Sequence, residues 1–375
     1  MDMNKKWKTL AIVSTCLLIL VSFLYAQSLM SKKAVEPEPV NETVENETSE
    51  PEQAEENWLS LWNDDAPAKA ALEEYVKDVT DPASANFIPL ENRVVVFDLD
   101  GTLFCETDPV YFDHMLLMHR VLEDPNHTAS EFELMVADKI QEFIDTGKSA
   151  SDLMPLHGQA VASAFAGMTI KEFYDYVAEF AKTPSPGYNN MNRGDAFYLP
   201  MVEVIDYLQN NDFQCYIVSG TDRLIVRGAV QGLSFLNIPP RQIIGSDQLV
   251  VASSQADTDG LDYNFTSDDD LVLAGQFLMK NLRTNKVTTI QQEIGVQPVL
   301  AFGNSSTDFA MATYATANNP YRSMGFMLCC DDVVRENGNV EKAEKMVKDC
   351  EENGWVAISM ANDWKTIYGD EVTRK

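Results

Sequence analysis

Four short runs of apolar residues most constrain the fold of this chain. They lie at residues 94–97, 215–218, 299–302 and 325–330. Apolarity within each run is continuous rather than alternating, which is typical of strands covered on both faces of a parallel sheet. Amphipathic helical patterns lie between the runs. The sequence therefore predicts one open α/β domain with a parallel sheet over residues 58–375.

Two insertions interrupt the alternation of strands and helices. The first, about residues 104–195, carries almost no strand pattern and predicts a helical cap over the sheet. Its apolar residues recur at helical spacing at Phe132, Met135, Val136, Ile140 and Phe143. Thr169 and Glu172 have the spacing of a capping box before a further amphipathic run. The second insertion, about residues 247–280, combines Gly, Asp and Ser with short β-like runs and predicts a hairpin.

The first 57 residues predict an exported protein. Lysines in NKKWK precede an uncharged apolar run at residues 10–26, so we interpret residues 1–28 as a signal peptide or a membrane anchor. Residues 29–57 are rich in Glu and Pro, and we expect a disordered acidic linker. We expect an extracytoplasmic domain, secreted or attached to the membrane only through the N-terminal segment.

Charge and cysteine content narrow the classes of partner. The formal net charge is −30, which argues against sequence-independent binding to nucleic acid or to anionic lipid. The cysteines show no zinc-ligand spacing, and we expect buried thiols. One disulfide among Cys329, Cys330 and Cys350 remains open, as does the oligomeric state.

The first of the predicted strands ends in the sequence FDLDGTLF, residues 97–104. Ligands of open α/β sheets bind at the carboxyl ends of the strands. Asp98 and Asp100 are two residues apart and point to the same side of the chain. Two carboxylates at this spacing can share a divalent cation and divide the roles of nucleophile and acid.

Three further motifs follow the other strands. YIVSGTDR, residues 216–223, places Ser219 and the amide of Gly220 at a strand end. Lys286 opens a helix and is preferred to Lys280 because of the apolar helical pattern that follows it. FGNSSTD, residues 302–308, brings Asn304 and Asp308 after a strand and a glycine.

The order of these four motifs resembles the haloacid dehalogenase superfamily, and within it the phosphoserine-phosphatase-like branch. The resemblance covers residues 94–310 and implies a Rossmann-like core with an inserted helical cap of the C1 type. It also implies a hydrolase that acts on a small phosphomonoester. In dehalogenases of the superfamily the second acidic residue of the first motif is missing, so Asp100 favours a phosphatase.

The resemblance implies a role for each matched residue. Asp98 would attack phosphorus and form an aspartyl-phosphate, while Asp100 would protonate the leaving oxygen and later activate water. Ser219 and Gly220 would bind the phosphoryl group. Lys286 would neutralise charge on that group and on Asp98.

The resemblance also implies a Mg²⁺ cofactor held by Asp98, the backbone carbonyl of Asp100, Asn304 and Asp308. The family usually has Asp where Asn304 stands, and Asn offers an oxygen without a charge. We therefore expect either weaker Mg²⁺ binding or a larger share for Asp308. Glu106 follows the first motif, where relatives that act on amino acids place an acidic residue for the substrate amine.

Two other functions remain open from the sequence. A phosphotransferase or mutase of the same superfamily would pass the phosphoryl group to an acceptor other than water. A non-catalytic module would keep the site to bind phosphate or metal, and Asn304 is the feature that favours it. His157 in the cap is interpreted as a surface or packed histidine.

Overall fold

The computed structural model describes residues 58–375. The signal or anchor predicted at residues 1–28 and the linker predicted at 29–57 lie outside the described residues and stay predictions. Within the described part of the chain, no helix has both the length and the apolarity needed to cross a membrane.

The strands are, in chain order, β1 (Val94–Phe97), β2 (Tyr188–Asn189), β3 (Gln214–Asp222), β4 (Ile243–Ala252), β5 (Leu271–Met279), β6 (Leu300–Gly303), β7 (Met324–Cys329), β8 (Val356–Ser359) and β9 (Thr373–Arg374). Seven of them form one sheet in the order β5-β4-β3-β1-β6-β7-β8, while β2 and β9 pair separately. All neighbours in the large sheet are parallel except β4 and β5. The predicted α/β fold is confirmed; β8 and the parallel start of β4 were not predicted.

Burial explains the continuous apolarity of the central strands. Every residue of β1 and of β6 is buried, since helices cover both faces of the sheet. The rings of Phe97 and Phe302 stack with centroids 4.6 Å apart, and Phe326 continues the stack at 4.8 Å. Phe97 is also in register with Ile217 of β3. The residues that follow these strands therefore emerge side by side at one edge of the sheet.

The α-helices of the described residues are α1 (Pro67–Thr80), α2 (Phe112–Leu122), α3 (Glu131–Thr146), α4 (Leu153–Ala164), α5 (Ile170–Ala181), α6 (Leu199–Asn210), α7 (Arg223–Ala229), α8 (Thr284–Glu293), α9 (Phe309–Thr316), α10 (Val340–Asn353) and α11 (Met360–Asp363). Helices α2 to α5 lie between β1 and β3 and are called the cap below. The predicted capping box of Thr169 and Glu172 begins α5. A second capping box, Ser130 with Glu133, begins α3.

The predicted hairpin is formed by β4 and β5, and it contacts the cap. The backbone N–H of Gly167 donates to the carbonyl of Leu273 at 2.8 Å, and the N–H of Leu273 donates to Met168 at 2.9 Å. Gly158 of α4 approaches the ring of Phe277 so closely that a Cβ there would lie 2.5 Å from it. The hairpin thus supports the cap from the side of the sheet.

The cysteines of the described residues are all free thiols. Cys215, Cys329 and Cys350 are buried, and Cys330 is half-buried. The prediction of buried thiols is confirmed for Cys215, Cys329 and Cys350 but not for the half-buried Cys330, and no disulfide joins the last three cysteines.

Candidate active site

The carboxyl ends of β1, β3 and β6 meet around a cavity of about 410 Å³. The sheet side of its wall includes Asp98, Asp100, Gly220, Thr221 and Asn304. On the opposite side, the cap and its connection to β1 contribute Glu106, Tyr111, Asp113, His114 and Met154 to the wall. Lys280 of the β5–α8 connection and Lys342 of α10 complete the rim. Residues of all four sequence motifs thus come together in one place, since Lys286 contacts Asp98 directly below the cavity.

Lys286 is a fully buried cation between two carboxylates. Its Nζ donates to Asp98 Oδ1 at 2.5 Å and to Asp308 Oδ1 at 2.7 Å. Although burial opposes the effect, the charges of Asp308 and Asp98 raise the pKa of Lys286, so its ammonium stays charged. Lys280, the alternative from the sequence, lines the cavity wall instead.

Asp98 is a buried carboxyl whose pKa is raised. Burial is the largest cause, the negative charge of Asp308 adds to it, and Lys286 opposes both, which leaves the pKa of Asp98 at about 7. A further positive charge at the cavity would lower that pKa and favour the ionised carboxylate. A cation bound beside Asp98 would therefore act on its pKa in the same direction as Lys286.

Asp100 lies beside Thr221, a residue that the sequence motifs did not single out. The Thr221 hydroxyl lies 2.8 Å from Asp100 Oδ2. Burial, followed by the negative charges of Asp113 and Asp98, raises the pKa of Asp100 well above its ordinary value. A carboxyl group whose pKa is raised keeps its proton to a higher pH than a free carboxyl group, which suits a general acid.

A bulge in β3 decides which of its residues reach the cavity. Val218 pairs with Ile244 and Asp222 with Ser246, so the three residues 219–221 oppose Gly245 alone. Ser219 is fully buried, and its Oγ accepts a hydrogen bond from the backbone N–H of Thr221 at 3.0 Å.

The bulge turns Gly220 and Thr221 toward the cavity, whereas Ser219 is not among its lining residues. The freed carbonyls of Ser219 and Gly220 accept from Asn281 Nδ2 and from Ser246 Oγ, at 3.1 Å and 2.6 Å. These bonds satisfy buried backbone groups and so stabilise the bulge. The role predicted for the Ser219 hydroxyl stays a prediction.

Asp308 lies below the cavity with both of its carboxylate oxygens already bonded. Oδ1 accepts from Lys286, while Oδ2 accepts from the backbone N–H groups of Asn304 and Ser305, both at 3.1 Å. Asp308 is 1% exposed. Asp308 is therefore well placed to orient Lys286 and the loop that follows β6. It is less well placed to contact a ligand in the cavity directly.

Oxygen atoms suited to Mg²⁺ converge next to Asp98. Asp98 Oδ2 and Asn304 Oδ1 both lie within hydrogen-bond reach of Thr102 Oγ1, at 3.4 Å and 3.5 Å. Carboxylate and amide oxygens are the hard ligands that Mg²⁺ prefers. Gly101 permits this approach, because a Cβ there would lie 1.9 Å from Asn304 Nδ2. The residues present fit the cation that the sequence motifs imply.

Glu106 lies on the same side of the cavity as Asn304. Its Oε1 accepts from the Tyr111 hydroxyl at 2.7 Å, and its Oε2 accepts from Asn304 Nδ2 at 3.3 Å. Burial is the main cause that raises the pKa of Glu106. Glu106 therefore positions the amide whose oxygen faces Thr102, and its predicted contact with a substrate stays a prediction.

A cluster of Asp113, His114 and His157 lies between the cap and the sheet. His114 Nδ1 is 2.8 Å from Asp113 Oδ1, and His157 Nδ1 is 3.8 Å from Asp113 Oδ2. Burial lowers the pKa of His157 to about 3, so this imidazole is neutral near pH 7. Against the effect of burial, the two imidazoles hold the pKa of Asp113 well below its ordinary value. The sequence left open whether His157 is a surface or a packed histidine, and the structure shows that it is packed.

The three residues are close enough for one metal ion, with ligand atoms within 4.8 Å of one another. However, the two imidazole rings stack with centroids 4.1 Å apart and an interplanar angle of 14°. Lone pairs of nearly parallel rings do not point to a common centre, so this arrangement favours a packed pair. One indication of the cluster is visible in the sequence: an Asp-His pair on the first turn of a largely apolar helix.

Comparison with known proteins identifies the family. The model of the haloacid dehalogenase-like hydrolases matches residues 95–313. No curated protein matches the chain. Solved structures with a similar fold include a conserved protein of unknown function from Anaerococcus prevotii, with 15% identity, 78% of this chain and 91% of that chain covered, and a TM-score of 0.46.

Two other solved structures have names that describe an activity. Cytosolic 5′-nucleotidase IIIB bound to cytidine is 12% identical over 78% of this chain and 85% of its own, with a TM-score of 0.45. A phosphoserine phosphohydrolase-like protein from Francisella tularensis is 15% identical over 68% and 92%, with a TM-score of 0.37. Likenesses of this size carry no argument about substrate, and the assignment rests on the family model. By that match, the chain belongs to the family of haloacid dehalogenase-like hydrolases.

Proposed function

We propose that this protein is a Mg²⁺-dependent phosphomonoester hydrolase that forms an aspartyl-phosphate on Asp98. The observation that carries the proposal is the buried group of Asp98, Lys286 and Asp308 below a cavity that Asp100 also lines. A carboxylate nucleophile, a fixed cation and a second, protonated carboxyl group are the parts that phosphoryl transfer through a covalent intermediate requires.

Asp98 supplies the nucleophile. Lys286 donates to Asp98 Oδ1 at 2.5 Å, which orients the carboxylate for attack on phosphorus. The ammonium then compensates negative charge as it develops on the transferring group. Because Asp308 fixes Lys286 from the other side, the cation needs little rearrangement during the reaction.

Asp100 supplies the proton for the leaving oxygen. Its raised pKa favours the protonated carboxyl group before the first step. After the alcohol leaves, the resulting carboxylate can take a proton from the water that hydrolyses the aspartyl-phosphate. Asp100 thus returns to its protonated form at the end of the cycle.

The metal would be held by Asp98, Asn304 and the backbone carbonyl of Asp100, with Asp308 behind them as an orienting residue. When bound, Mg²⁺ would neutralise charge on the phosphoryl oxygens and favour the ionised form of Asp98. Asn304 brings no charge of its own, so the affinity depends mainly on Asp98 and on the substrate phosphate.

The size of the cavity and the predicted extracytoplasmic location indicate the class of substrate. A cavity of about 410 Å³ holds a phosphate group and a small organic body. We further propose that the protein resembles the phosphoserine-phosphatase-like branch in using its cap to select this body. From the N-terminal sequence we propose that the substrate is extracytoplasmic and that the membrane is contacted only through that segment.

The test uses full-length protein purified in a mild detergent, with para-nitrophenyl phosphate and a panel of alkyl phosphomonoesters. Turnover that requires Mg²⁺, stops with EDTA and is lost in Asp98→Asn supports the proposal. Acid-stable transfer of ³²P to the protein that hydroxylamine releases identifies the aspartyl-phosphate. Absence of both turnover and labelling across the panel would favour a module that binds phosphate without hydrolysing it.

A further inference from the structure

Two lysines on the wall of the cavity have no charged partner. Lys280 lies in the β5–α8 connection and is half-buried, while Lys342 lies in the first turn of α10 and is exposed. Within residues 58–375, neither ammonium group forms an ion pair or donates a hydrogen bond. Lys345, the third lysine of this wall, differs from them because its Nζ donates to Asp349 at 2.6 Å.

The carboxylates that face the same space already have partners. Both oxygens of Glu106 accept hydrogen bonds, at 2.7 Å from the Tyr111 hydroxyl and at 3.3 Å from Asn304 Nδ2. Asp113 Oδ1 lies 2.8 Å from His114 Nδ1. Among the described residues of the wall, the charged groups that lack a partner are thus the two lysines. They are the groups that a charged part of a ligand can pair with.

The two lysines flank Asp98 in the order of the strands. Lys280 follows β5 and Lys342 follows β7, whereas Asp98 follows β1, which lies between these strands. Lys342 also lines, together with Glu106, a smaller cavity of about 90 Å³ beside the main one. Against the effect of burial, the two imidazoles of the cluster and then the charge of Lys280 hold the pKa of Asp113 well below its ordinary value. Each lysine therefore lies near a residue of the cap or of its connection to β1.

We propose that Lys280 and Lys342 select phosphomonoesters whose organic body carries a second anionic group, either a carboxylate or another phosphate. This inference rests on the proposed function, in which Asp98, Lys286 and the metal take the phosphoryl group that is transferred. The body of the substrate then extends toward the cap, where its anionic group pairs with the two lysines. A half-buried ammonium without a partner has lost part of its hydration, and an anion that pairs with it offsets this cost.

The charge of the whole protein makes such recognition specific. With a formal net charge of −30, the protein repels anions in general, so an anionic body binds only where local cations compensate. An uncharged body gains nothing from the lysines, and an ammonium group is repelled by them. An acidic residue that meets a substrate amine, as expected for Glu106 from the sequence, predicts the opposite order of preference.

The experiment compares esters of equal chain length on full-length wild-type protein: propyl phosphate, aminopropyl phosphate and carboxyethyl phosphate. Trimethylene bisphosphate distinguishes a second phosphate from a carboxylate. One of the two anionic esters should have the highest kcat/KM, about tenfold above that of propyl phosphate, and that ester identifies the anionic group. Added NaCl should reduce this preference, because salt screens exposed charges. Propyl phosphate or aminopropyl phosphate as the best substrate overturns the inference.

The variants Lys280→Met and Lys342→Met test the two residues separately. The readout is the ratio of kcat/KM for the preferred anionic ester to kcat/KM for propyl phosphate. Lys280→Met should lower this ratio by about tenfold, because its ammonium is half-buried. Lys342→Met should lower it by about threefold, because exposed ion pairs are weaker. An equal fall for both esters overturns the inference, since the lysine would then act on the transferred phosphoryl group.

Lys348→Met is the matched control, because it removes the same charge from α10 at a position outside the cavity wall. It should change the ratio less than about twofold, since salt screens charges at a distance. A fall in the control equal to that in Lys342→Met contradicts a local contact and overturns the inference.

Lys342→Glu keeps the test decisive if Lys280→Met does not fold, because Lys342 is exposed at the rim. The reversed charge should shift the preference toward aminopropyl phosphate by about tenfold relative to wild type. The wild-type order of substrates in this variant overturns the inference. Wild-type protein that hydrolyses neither these esters nor para-nitrophenyl phosphate overturns the proposed function, and the inference with it. Hydrolysis without a preference for an anionic body overturns the inference alone.

Discussion

The Nζ atom of Lys286 lies 2.5 Å from Oδ1 of Asp98, although 188 positions separate the two residues in the chain. Asp308 holds the same ammonium from the opposite side at 2.7 Å, and Lys286 is fully buried. Buried charges persist only where partners of opposite sign compensate the loss of water. The three side chains therefore act as one unit in stability as well as in the proposed chemistry.

Replacing Lys286 by Met should damage both properties. Two buried carboxylates would face each other without a cation, which costs about 3 kcal/mol of folding free energy. The proposed transition state would also lose its fixed positive charge, so kcat should fall by about 100-fold or more. Urea unfolding and steady-state kinetics measure the two effects.

Lys280→Met is the matched control for this variant, because Lys280 lines the same cavity and has no contact with Asp98. It should leave folding free energy within roughly 0.5 kcal/mol of wild type, as surface substitutions usually do. Equal loss of activity in both lysine variants would contradict the special role of Lys286. In that case a general effect of cavity charge would be the better explanation.

The raised pKa of Asp98 predicts how stability depends on pH in metal-free protein. Its folded-state pKa is about 7, above the ordinary value of 3.8. The folded protein therefore binds a proton that the unfolded chain has already released, and stability falls as pH rises between these two values. The slope contributed by this group is at most about 1.4 kcal/mol per pH unit.

Chemical unfolding in EDTA from pH 4 to pH 8 measures this slope. Asp98→Asn removes the titrating group, so its unfolding free energy should depend less on pH over the same range. Added Mg²⁺ should flatten the wild-type curve, because a bound cation lowers the pKa of its carboxylate ligand. Parallel curves for wild type and variant in EDTA would show that Asp98 does not titrate in this range.

The location of the candidate site at one edge of the sheet could be predicted from the sequence, because the motif residues follow the ends of the predicted strands. Asp98 and Asn304 each follow a buried strand directly, and Asp100 lies three residues beyond the end of β1. Parallel pairing in register then brings them together without further information. Lys286, which the sequence favours over Lys280, contacts Asp98, since the apolar helix pattern after it orients the residue toward the sheet.

The contacts that depend on tertiary packing could not be predicted. The bulge in β3 moves Ser219 into the interior and presents Thr221 instead, and nothing in YIVSGTDR specifies a bulge. Asp113 and His157 are 44 residues apart and meet because α2 packs near α4. The packing of α2 on the sheet brings Asp113 Oδ2 within 3.4 Å of Thr221 Oγ1.

Asn304→Asp should strengthen Mg²⁺ binding. The substitution adds a charge to an oxygen ligand beside Asp98, and we expect about a tenfold lower dissociation constant. Part of the gain is lost because the new carboxylate replaces the amide that donates to Glu106 at 3.3 Å. Glu106→Gln in the same protein should therefore increase the gain. Isothermal titration calorimetry with MgCl₂ measures the affinity directly, and an unchanged affinity would exclude residue 304 as a ligand.

Gly245→Ala should impair the site without touching the cavity. A Cβ at Gly245 would lie 2.5 Å from the Thr221 carbonyl oxygen and 2.6 Å from the Arg223 backbone nitrogen. Both are backbone atoms, so the strand must move rather than a side chain, at a cost of about 1–3 kcal/mol.

The displaced segment includes the bulge that carries Thr221, whose hydroxyl lies 2.8 Å from Asp100 Oδ2. An alkyl phosphate needs a proton on its leaving oxygen, whereas para-nitrophenolate leaves without one, so the variant should lose activity toward alkyl phosphates more than toward para-nitrophenyl phosphate. Gly260→Ala is the control, because a Cβ there meets only the Gln255 side chain at 3.8 Å. Thermal unfolding and assays with both kinds of substrate measure these effects. A Gly245→Ala protein with wild-type stability and wild-type substrate ratio would mean that β4 tolerates the methyl group, and that the bulge does not depend on the close approach of these strands.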